Sequence, residues 1–464
     1  MESPLDAAAD PATATGEPTL ARKLGAFDAT MIVMGGIIGA GIFVNPSVVA
    51  RQVHTPGLAL GAWLIGGGIA LIGAFVYAEL AALRPNVGGQ YAYLRDAYHP
   101  MVAFLYGWSL LLVTQTGGMA GAAIIFGRYF RELSGVGLSE QAVAALALGI
   151  LTLVNCLGVR AGSNVQSALM LTKLAAIAAL IGVGLFMTPA APPAAAPAPS
   201  DAPSGGLVGL ATAMIPVLFA YGGWQTASFV SGEMRNPRRD LPRGLLIGVV
   251  GVIVVYLTVS WVCQHVLGIA GLAATNTPAS EVMRLGLGER GARLIALGIA
   301  ISTVGFLSQS VLTAPRVYYA MARDGVFFDI VGKLDPRSRV PVVAIVLQGV
   351  WAAVIALTGK YDQILNYVES LDVFFFGLTG AALLVFRARA RRAAREAGDD
   401  DFVRVPWHPI TTSLFVLACW GVSFTTIVRY PENAGIGVGI LALGVVAYQF
   451  WRKPRAPSAR GAGA

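Results

Sequence analysis

The sequence predicts an all-α polytopic membrane protein, and three observations support this prediction. Hydrophobic residues make up 56% of the 464 residues and charged residues only 12%, which excludes an ordinary soluble globular domain. About twelve apolar segments follow one another, each close to the roughly 20 residues that cross a bilayer as a helix. The first and sixth of these segments carry glycines in their middle, and glycine weakens a helix.

The apolar segments divide the chain into regions. We predict a disordered N-terminus over residues 1–24, helices 1–5 over 25–187, a Pro- and Ala-rich loop over 188–205, helices 6–10 over 206–388, a charged loop over 389–408, helices 11 and 12 over 409–451, and a disordered tail over 452–464. An even number of spans places both termini on one side. Most of the 33 Lys and Arg residues fall in segments on that side, which predicts cytoplasmic termini in the cell (inner) membrane.

Charge and metal-ligand patterns exclude several functions. The net charge of +8 is typical of cytoplasmic loops beside a lipid bilayer and does not indicate a nucleic-acid partner. The three cysteines lie in apolar runs, and the four histidines have no ligand spacing, so we expect no metal site and no cofactor. The loops contain no paired acids or nucleophile motif, so we do not expect an enzyme.

The first span is the segment around which the chain is organised. It contains Gly35, Gly36, Gly39 and Gly41, each of which weakens a helix by about 1 kcal/mol relative to alanine. Backbone groups unpaired at membrane depth must line a protein cavity, so we interpret residues 39–41 as a break that forms half of a binding site. Close helix packing on small residues is the alternative.

The sixth span repeats this feature. It carries Pro216 and the pair Gly222-Gly223, five spans after the first interruption. Paired interruptions at corresponding places in two halves are typical of inverted-repeat transporters, whose site lies between the breaks. The coincidence favours a binding site over packing alone.

Several motifs resemble one known family. Residues 36–43 (GIIGAGIF) resemble the first-helix signature of the amino acid–polyamine–organocation superfamily. Residues 219–224 (FAYGGW) with 233–243 (EMRNPRRDLPR) are similar to its L-type amino acid transporter branch, as are 88–93 (GGQYAY) and 313–325 (TAPRVYYAMARDG). The resemblance implies a LeuT-like fold, with a 5+5 inverted repeat, two further helices, and substrate held between the breaks of helices 1 and 6.

Broken helices offer free N–H groups at one end and free C=O groups at the other, which suits a zwitterion. We expect the substrate carboxylate at the N–H groups of residues 40–42 and the ammonium at carbonyls of Ile37, Phe219 and Ala220, as the resemblance implies. Phe219 is the candidate gate, with an ordinary core aromatic as the alternative. The predicted substrate-binding residues are Ile37, Ile38, Gly39, Ala40, Gly41, Ile42, Phe219, Ala220, Tyr221 and Gly222.

Lys173 lies inside the fifth span, where a charge costs at least about 2.5–3.5 kcal/mol. Snorkelling to the interface is one interpretation. The resemblance implies another, because a span-5 lysine replaces the sodium ion in sodium-independent relatives. We therefore expect its ammonium to join carbonyls of helix 1 to hydroxyls of helix 8, such as Ser308 or Ser310.

The substrate prediction is weaker. Spans 3 and 8 contain no acid, which favours neutral over cationic amino acids. Glu369 and Asp372 in the tenth span are either proton-sensitive or near the surface. Residues 128–141 contain no cysteine, so we expect no disulfide-linked heavy chain. The sequence thus favours a sodium-independent exchanger of neutral L-amino acids. One alternative is a proton-coupled amino acid symporter, whose substrates could include cationic amino acids. The other is a membrane amino-acid sensor.

Overall fold

The computed structural model describes residues 20–84, 87–189, 206–358, 361–393, 403–429 and 431–451. The predicted terminal segments lie almost wholly outside these residues, as do nearly all of the Pro- and Ala-rich loop and about half of the charged loop. Within the described part of the chain, the secondary structure is helical, with one isolated parallel bridge between Leu24 and Met234 and no β-strand.

The helices follow the predicted order of spans. They are α1 Ala26–Ile37, α2 Gly41–Val53, α3 Pro56–Leu83, α4 Gln90–Ala97, α5 Pro100–Ser109, α6 Gln115–Ser134, α7 Glu140–Cys156, α8 Val159–Phe186, α9 Leu207–Tyr221, α10 Pro237–Ala274, α11 Pro278–Thr313, α12 Pro315–Arg323, α13 Val342–Thr358, α14 Tyr361–Ala393, α15 Ile410–Arg429 and α16 Pro431–Trp451. A π-helical turn, Leu110–Thr114, joins α5 to α6, and 3-10 helices cover Trp224–Glu233 and Asp329–Gly332.

The helix lengths suit a membrane protein. Among the described residues, seven helical spans are long and apolar enough to cross a membrane, or eight if α1 and α2 form one span bent by 44°. Three shorter apolar helices lie at Glu140–Cys156, Val342–Thr358 and Gly435–Trp451. With α9 and its 3-10 continuation, these elements match the predicted series of about twelve spans. The architecture confirms the predicted all-α, LeuT-like class.

Helix α1 lies at the centre of the bundle. Every residue from Ala29 to Ile37 is buried, and α1 contacts α8, α10, α11 and the 3-10 helix Trp224–Glu233. A helix that is apolar on all sides is expected to be enclosed by other helices. Whatever interrupts α1 therefore opens inside the protein and not toward lipid.

Candidate binding site between two broken helices

The first break separates α1 from α2. Helix α1 ends at Ile37 and α2 begins at Gly41. The N–H group of Gly39 turns back to the Ile37 carbonyl at 2.9 Å. The N–H groups of Ala40, Gly41 and Ile42 have no hydrogen-bond partner among the described residues. Three free donors at a helix N-terminus can bind a carboxylate, as the sequence predicted for these residues.

The second break follows α9. Helix α9 ends at Tyr221, and Gly223 adopts a φ of 104°, a conformation that favours glycine. The Gly222 N–H donates to the Phe219 carbonyl at 3.1 Å, and the Gly223 N–H donates to Oε1 of Gln225 at 3.0 Å. A carbonyl oxygen can accept two hydrogen bonds, so the Phe219 carbonyl at the end of α9 can accept one more.

The two breaks touch through a pair of glycines. A Cβ added at Gly223 would lie 2.1 Å from the carbonyl oxygen of Gly36, and one at Gly36 would lie 2.7 Å from the Gly223 oxygen. Neither distance is compatible with a side chain. Backbone therefore packs on backbone here, and both positions require glycine. Gly223 belongs to the motif of residues 219–224 but is not among the predicted binding residues.

Tyr256 of α10 joins the breaks by hydrogen bonds. Its hydroxyl lies 3.0 Å from the Ile37 carbonyl and 3.2 Å from the Ala220 carbonyl, and it can donate to either. Since the Ile37 oxygen also accepts from Gly39, it has less capacity for a substrate ammonium than the sequence predicted. Sequence reasoning missed Tyr256 because a tyrosine in an apolar span is usually a core residue.

Lys173 of α8 reaches the first break. Its side chain is fully buried, and Nζ donates to the carbonyl of Ile38, one of the three residues between α1 and α2. Full burial excludes the snorkelling interpretation. Gly305 of α11 provides the space, since a Cβ there would lie 3.3 Å from both Cε and Nζ of Lys173.

One face of α8 lies along α1. Ser163 donates to Asp28 at 3.0 Å, and Gln166 packs where a Cβ at Gly35 would lie, 1.8 Å from its Nε2. Met170 and Lys173 continue the same buried face. These residues are spaced by three, four and three positions, as one side of a helix requires. The face fixes Lys173 at the level of the break.

Helix α11 contributes a different hydroxyl from those predicted. Ser302 donates to the Gly39 carbonyl at 3.1 Å. Ser308 has no hydrogen-bond partner among the described residues, and the Ser310 hydroxyl bonds the side chain of Gln309 at 3.4 Å. At about 100° per residue, Ser308 and Ser310 point roughly 120° and 80° away from Ser302. No hydrogen bond from Lys173 to Ser308 or Ser310 is found among the described residues; the α11 hydroxyl that bonds the break is Ser302, through the Gly39 carbonyl.

A cavity of about 450 Å³ lies between the two breaks, within the size range of small-molecule sites. Seven predicted residues line it: Ile37, Gly39, Ala40, Gly41, Phe219, Ala220 and Gly222. Phe219 is 43% exposed there, so its ring is not an ordinary core aromatic.

The side chains of Ile38, Ile42 and Tyr221 do not line the cavity, and all three residues are buried. Ile38 and Ile42 present backbone groups to the break. Tyr221, predicted to bind substrate, packs away from the cavity instead. Its ring packs on Trp63 and Tyr256, and its hydroxyl donates to the Trp63 carbonyl at 3.2 Å. Trp224 packs among Tyr77, Phe376 and Phe415.

One acidic side chain faces the cavity. Asp372 of α14 is the only charged residue among the described residues that line it. From the sequence, Asp372 is either proton-sensitive or near the surface; in the structure it lines the cavity. The side chain of Glu369 lies outside the part of the chain whose side chains are described.

Helical spans around two broken, facing helices, with free backbone groups at a cavity, define a membrane transporter of the LeuT-like class. Comparison with known proteins names the family. The family model described as amino acid permease matches residues 24–447, so the chain belongs to the amino acid permease family. This finding confirms the amino acid–polyamine–organocation resemblance.

Individual relatives are named as amino acid transporters or exchangers. The serine/threonine exchanger SteT of Bacillus subtilis is 28% identical over 450 residues, 95% of this chain and 99% of SteT. The human b(0,+)-type amino acid transporter 1 is 29% identical, covering 81% of this chain and 78% of its own. The human large neutral amino acids transporter small subunit 2 is 29% identical, and the match covers 97% of this chain and 85% of that transporter. The chain is similar to L-type transporters along nearly its whole length.

Proposed function

We propose that the protein is a sodium-independent exchanger of neutral L-amino acids that works by alternating access in the cell (inner) membrane, with cytoplasmic termini. The observation that carries this proposal is the ammonium of Lys173 on the carbonyl of Ile38. A fixed cation at the break supplies the positive charge that a coupling sodium ion would bring, so transport needs no sodium. The names of the relatives, which include an exchanger, support exchange of amino acids.

The head group of the substrate has a defined place in this proposal. Its carboxylate binds the free N–H groups of Ala40, Gly41 and Ile42, and its ammonium binds the carbonyls of Phe219 and Ala220 at the end of α9. Phe219 covers the bound substrate as a gate. Because residues 128–141 contain no cysteine, we propose that no disulfide-linked heavy chain is required.

Counterflow in proteoliposomes tests the proposal. Vesicles loaded with unlabelled alanine should accumulate labelled alanine without sodium and without a pH gradient, whereas empty vesicles should take up little. Stimulation by sodium would contradict the role of Lys173. Uptake into empty vesicles that rises with an inward proton gradient would instead support a proton-coupled symporter, for which Asp372 in the cavity is a candidate proton carrier.

A variant in the break provides the internal control. Leucine at Gly41 would place a side chain in the cavity, since even a Cβ there would contact Asn45 and Ala220 at 3.5 and 3.8 Å. We expect folded Gly41→Leu protein to lose counterflow. Leucine at Gly421, where a Cβ meets nothing within 4 Å, should leave it unaffected. Normal exchange by folded Gly41→Leu protein would rule out the proposed binding mode.

A further inference from the structure

Asp372 is the one charged group lining the cavity among the described residues, and the head-group site does not use it. The Asp372 side chain is partly exposed at the cavity, and no hydrogen bond or ion pair is found for it within the described residues. Tyr106, which interacts electrostatically with Asp372, has a buried hydroxyl that also lacks a partner. A ligand that displaces water from a carboxylate without supplying a donor loses those hydrogen bonds, so a ligand that carries a donor is favoured.

Asp372 lies one helical turn from a residue of α14 that packs beside the second break. Phe376, four residues later, packs against Trp224 directly after the second break, with ring centroids 5.6 Å apart. Four residues of helix advance about 6 Å, so Asp372 lies about 6 Å along α14 from the level of Phe376. Both residues line the cavity, so the carboxylate can face the part of a bound substrate that the head-group site does not contact.

We propose that Asp372 selects amino acids whose side chain carries a hydrogen-bond donor, and that its carboxylate accepts that hydrogen. The inference rests on the proposed amino acid transport and names the substrate class within it. A hydroxyl or amide side chain satisfies the carboxylate, as does an ammonium. An aliphatic side chain of the same size leaves it unpaired, and an acidic side chain is repelled. Sites built to bond a substrate hydroxyl discriminate strongly against analogues that lack it.

Threonine and valine provide the test, because they have nearly the same shape and differ in one hydroxyl. In counterflow, the unmodified protein should prefer threonine over valine by about tenfold or more, as a hydrogen bond to a charged group suggests. Asp372→Asn should reduce the ratio, and Asp372→Leu should abolish or invert it. The matched control Asp240→Asn, at the start of α10 and absent from the cavity lining, should keep the ratio.

Two results would overturn the inference. An unchanged threonine-to-valine ratio in Asp372→Leu would show that the carboxylate does not contact the side chain. An equal fall for both substrates in both variants would assign Asp372 to the head group or to folding. Threonine preference without competition by ornithine supports the inference with a neutral donor. Competition by ornithine that disappears in Asp372→Asn also supports the role of Asp372, but it contradicts the restriction to neutral substrates in the proposed function.

A binding measurement keeps this inference separate from the proposed function. Thermal stabilisation of purified protein by threonine and by valine reports affinity whether or not transport occurs. If counterflow of both alanine and threonine fails in the unmodified protein, the exchanger proposal fails. The proposed role of Asp372 in side-chain selection is still supported if threonine stabilises the protein more than valine does and Asp372→Leu removes the difference. If counterflow succeeds and neither ratio depends on Asp372, only the side-chain inference fails.

Discussion

The two ends of the cavity are built differently. On the side of residues 20–26, here called the N-terminal side, the residues of α1 from Ala29 to Ile37 are all buried. On the opposite side, the cavity continues along one face of α2, and the residues of that face are partly exposed: Gly41, Val44, Asn45, Val48 and Gln52. The two halves of one broken span therefore belong to a closed end and an open end.

The closed end is held by interactions across elements. Backbone N–H groups of Lys23 and Leu24 donate to the Glu233 carbonyl, each at 3.0 Å, and the Glu233 carboxylate bonds Arg316 at 2.8 Å with both side chains fully buried. A Cβ at Gly89 would lie 2.5 Å from the Ser228 carbonyl. Three motifs of the family resemblance thus meet at this end.

Ion pairs at the open end are local. Arg284 pairs with Glu281 and Glu289 within α11, and Arg128 pairs with Glu140 across the short connection from α6 to α7. Among the described residues, none of these pairs spans the cavity. The comparison indicates that the protein is in a state open to the side opposite its N-terminus. In the alternating access that we propose, the closed-end contacts would break. The predictions below test the two ends and the breaks between them.

The largest effect is expected at the buried pair of the closed end. Arg316→Ala leaves the Glu233 carboxylate buried without its cation, which should cost about 3–5 kcal/mol. Thermal unfolding in detergent, followed by size-exclusion of the remaining folded protein, measures the loss. The double variant Glu233→Gln with Arg316→Gln should be more stable than the single one because no charge is stranded. Equal stability of the two would mean that the pair does not hold the closed end.

The next effect is expected where the two breaks touch. Gly223→Ala combines a backbone conformation at φ 104°, costing about 1–3 kcal/mol for a residue with a side chain, with a clash against the Gly36 carbonyl. Alanine counterflow should fall below detection. Gly149→Ala in α7, where a Cβ meets nothing within 4 Å, is the matched control. Full exchange by Gly223→Ala would show that the breaks need not be in contact.

A smaller loss is expected from Lys173→Met, which keeps the length of the side chain and removes its donor. The Ile38 carbonyl loses a charged hydrogen bond, a difference of about 1.5–3 kcal/mol, so exchange should fall by about tenfold or more. The control Leu171→Met lies two residues away on the exposed side of α8. If the Lys173→Met variant exchanges as fast as the unmodified protein, the proposed role of Lys173 in sodium-independent transport is wrong.

The sequence predicted the breaks, the three free N–H groups and Lys173 because each has a local signal. Glycines at membrane depth mark a break, and a lysine in an apolar span is conspicuous without any partner in view. The signal for Asp372 was also local, but depth along a helix does not show whether a side chain faces a cavity. Its cavity position required the packing of α14 against the 3-10 helix that follows the second break.

The misses depend on tertiary structure. Nothing in the sequence sets the rotation of α11 about its axis, so the sequence does not show which serine of α11 faces the break, and Ser302 is the one that bonds it. Tyr221 was predicted from its neighbours in the motif, yet at the end of a helix adjacent residues face different directions, and its ring packs against Trp63. Tyr256 needs both breaks in place before its hydroxyl has partners.

The smallest effect is expected in a loop outside the membrane spans. Oδ2 of Asp335 accepts from the N–H groups of Arg337 and Ser338, at 3.0 and 2.7 Å, and from the Ser338 hydroxyl at 2.9 Å. These donors favour the ionised form and lower the pKa of Asp335 below its ordinary value. The loop packs at the turn before α8, where a Cβ at Gly158 would lie 3.5 Å from the Ser338 carbonyl.

The pH dependence of this loop follows from the direction of the shift. Because the pKa of Asp335 is lower in the folded than in the unfolded protein, its contribution to stability is complete above the unfolded pKa and is lost as the pH falls through the folded pKa. Asp335→Asn should therefore lower the melting temperature slightly at pH 7 and have progressively less effect in acid. Exposed Glu289→Gln is the control for removing an acidic charge. A deficit in Asp335→Asn that grows on acidification would contradict the assignment, because a carboxylate that has become protonated no longer offers its full acceptor capacity to the loop.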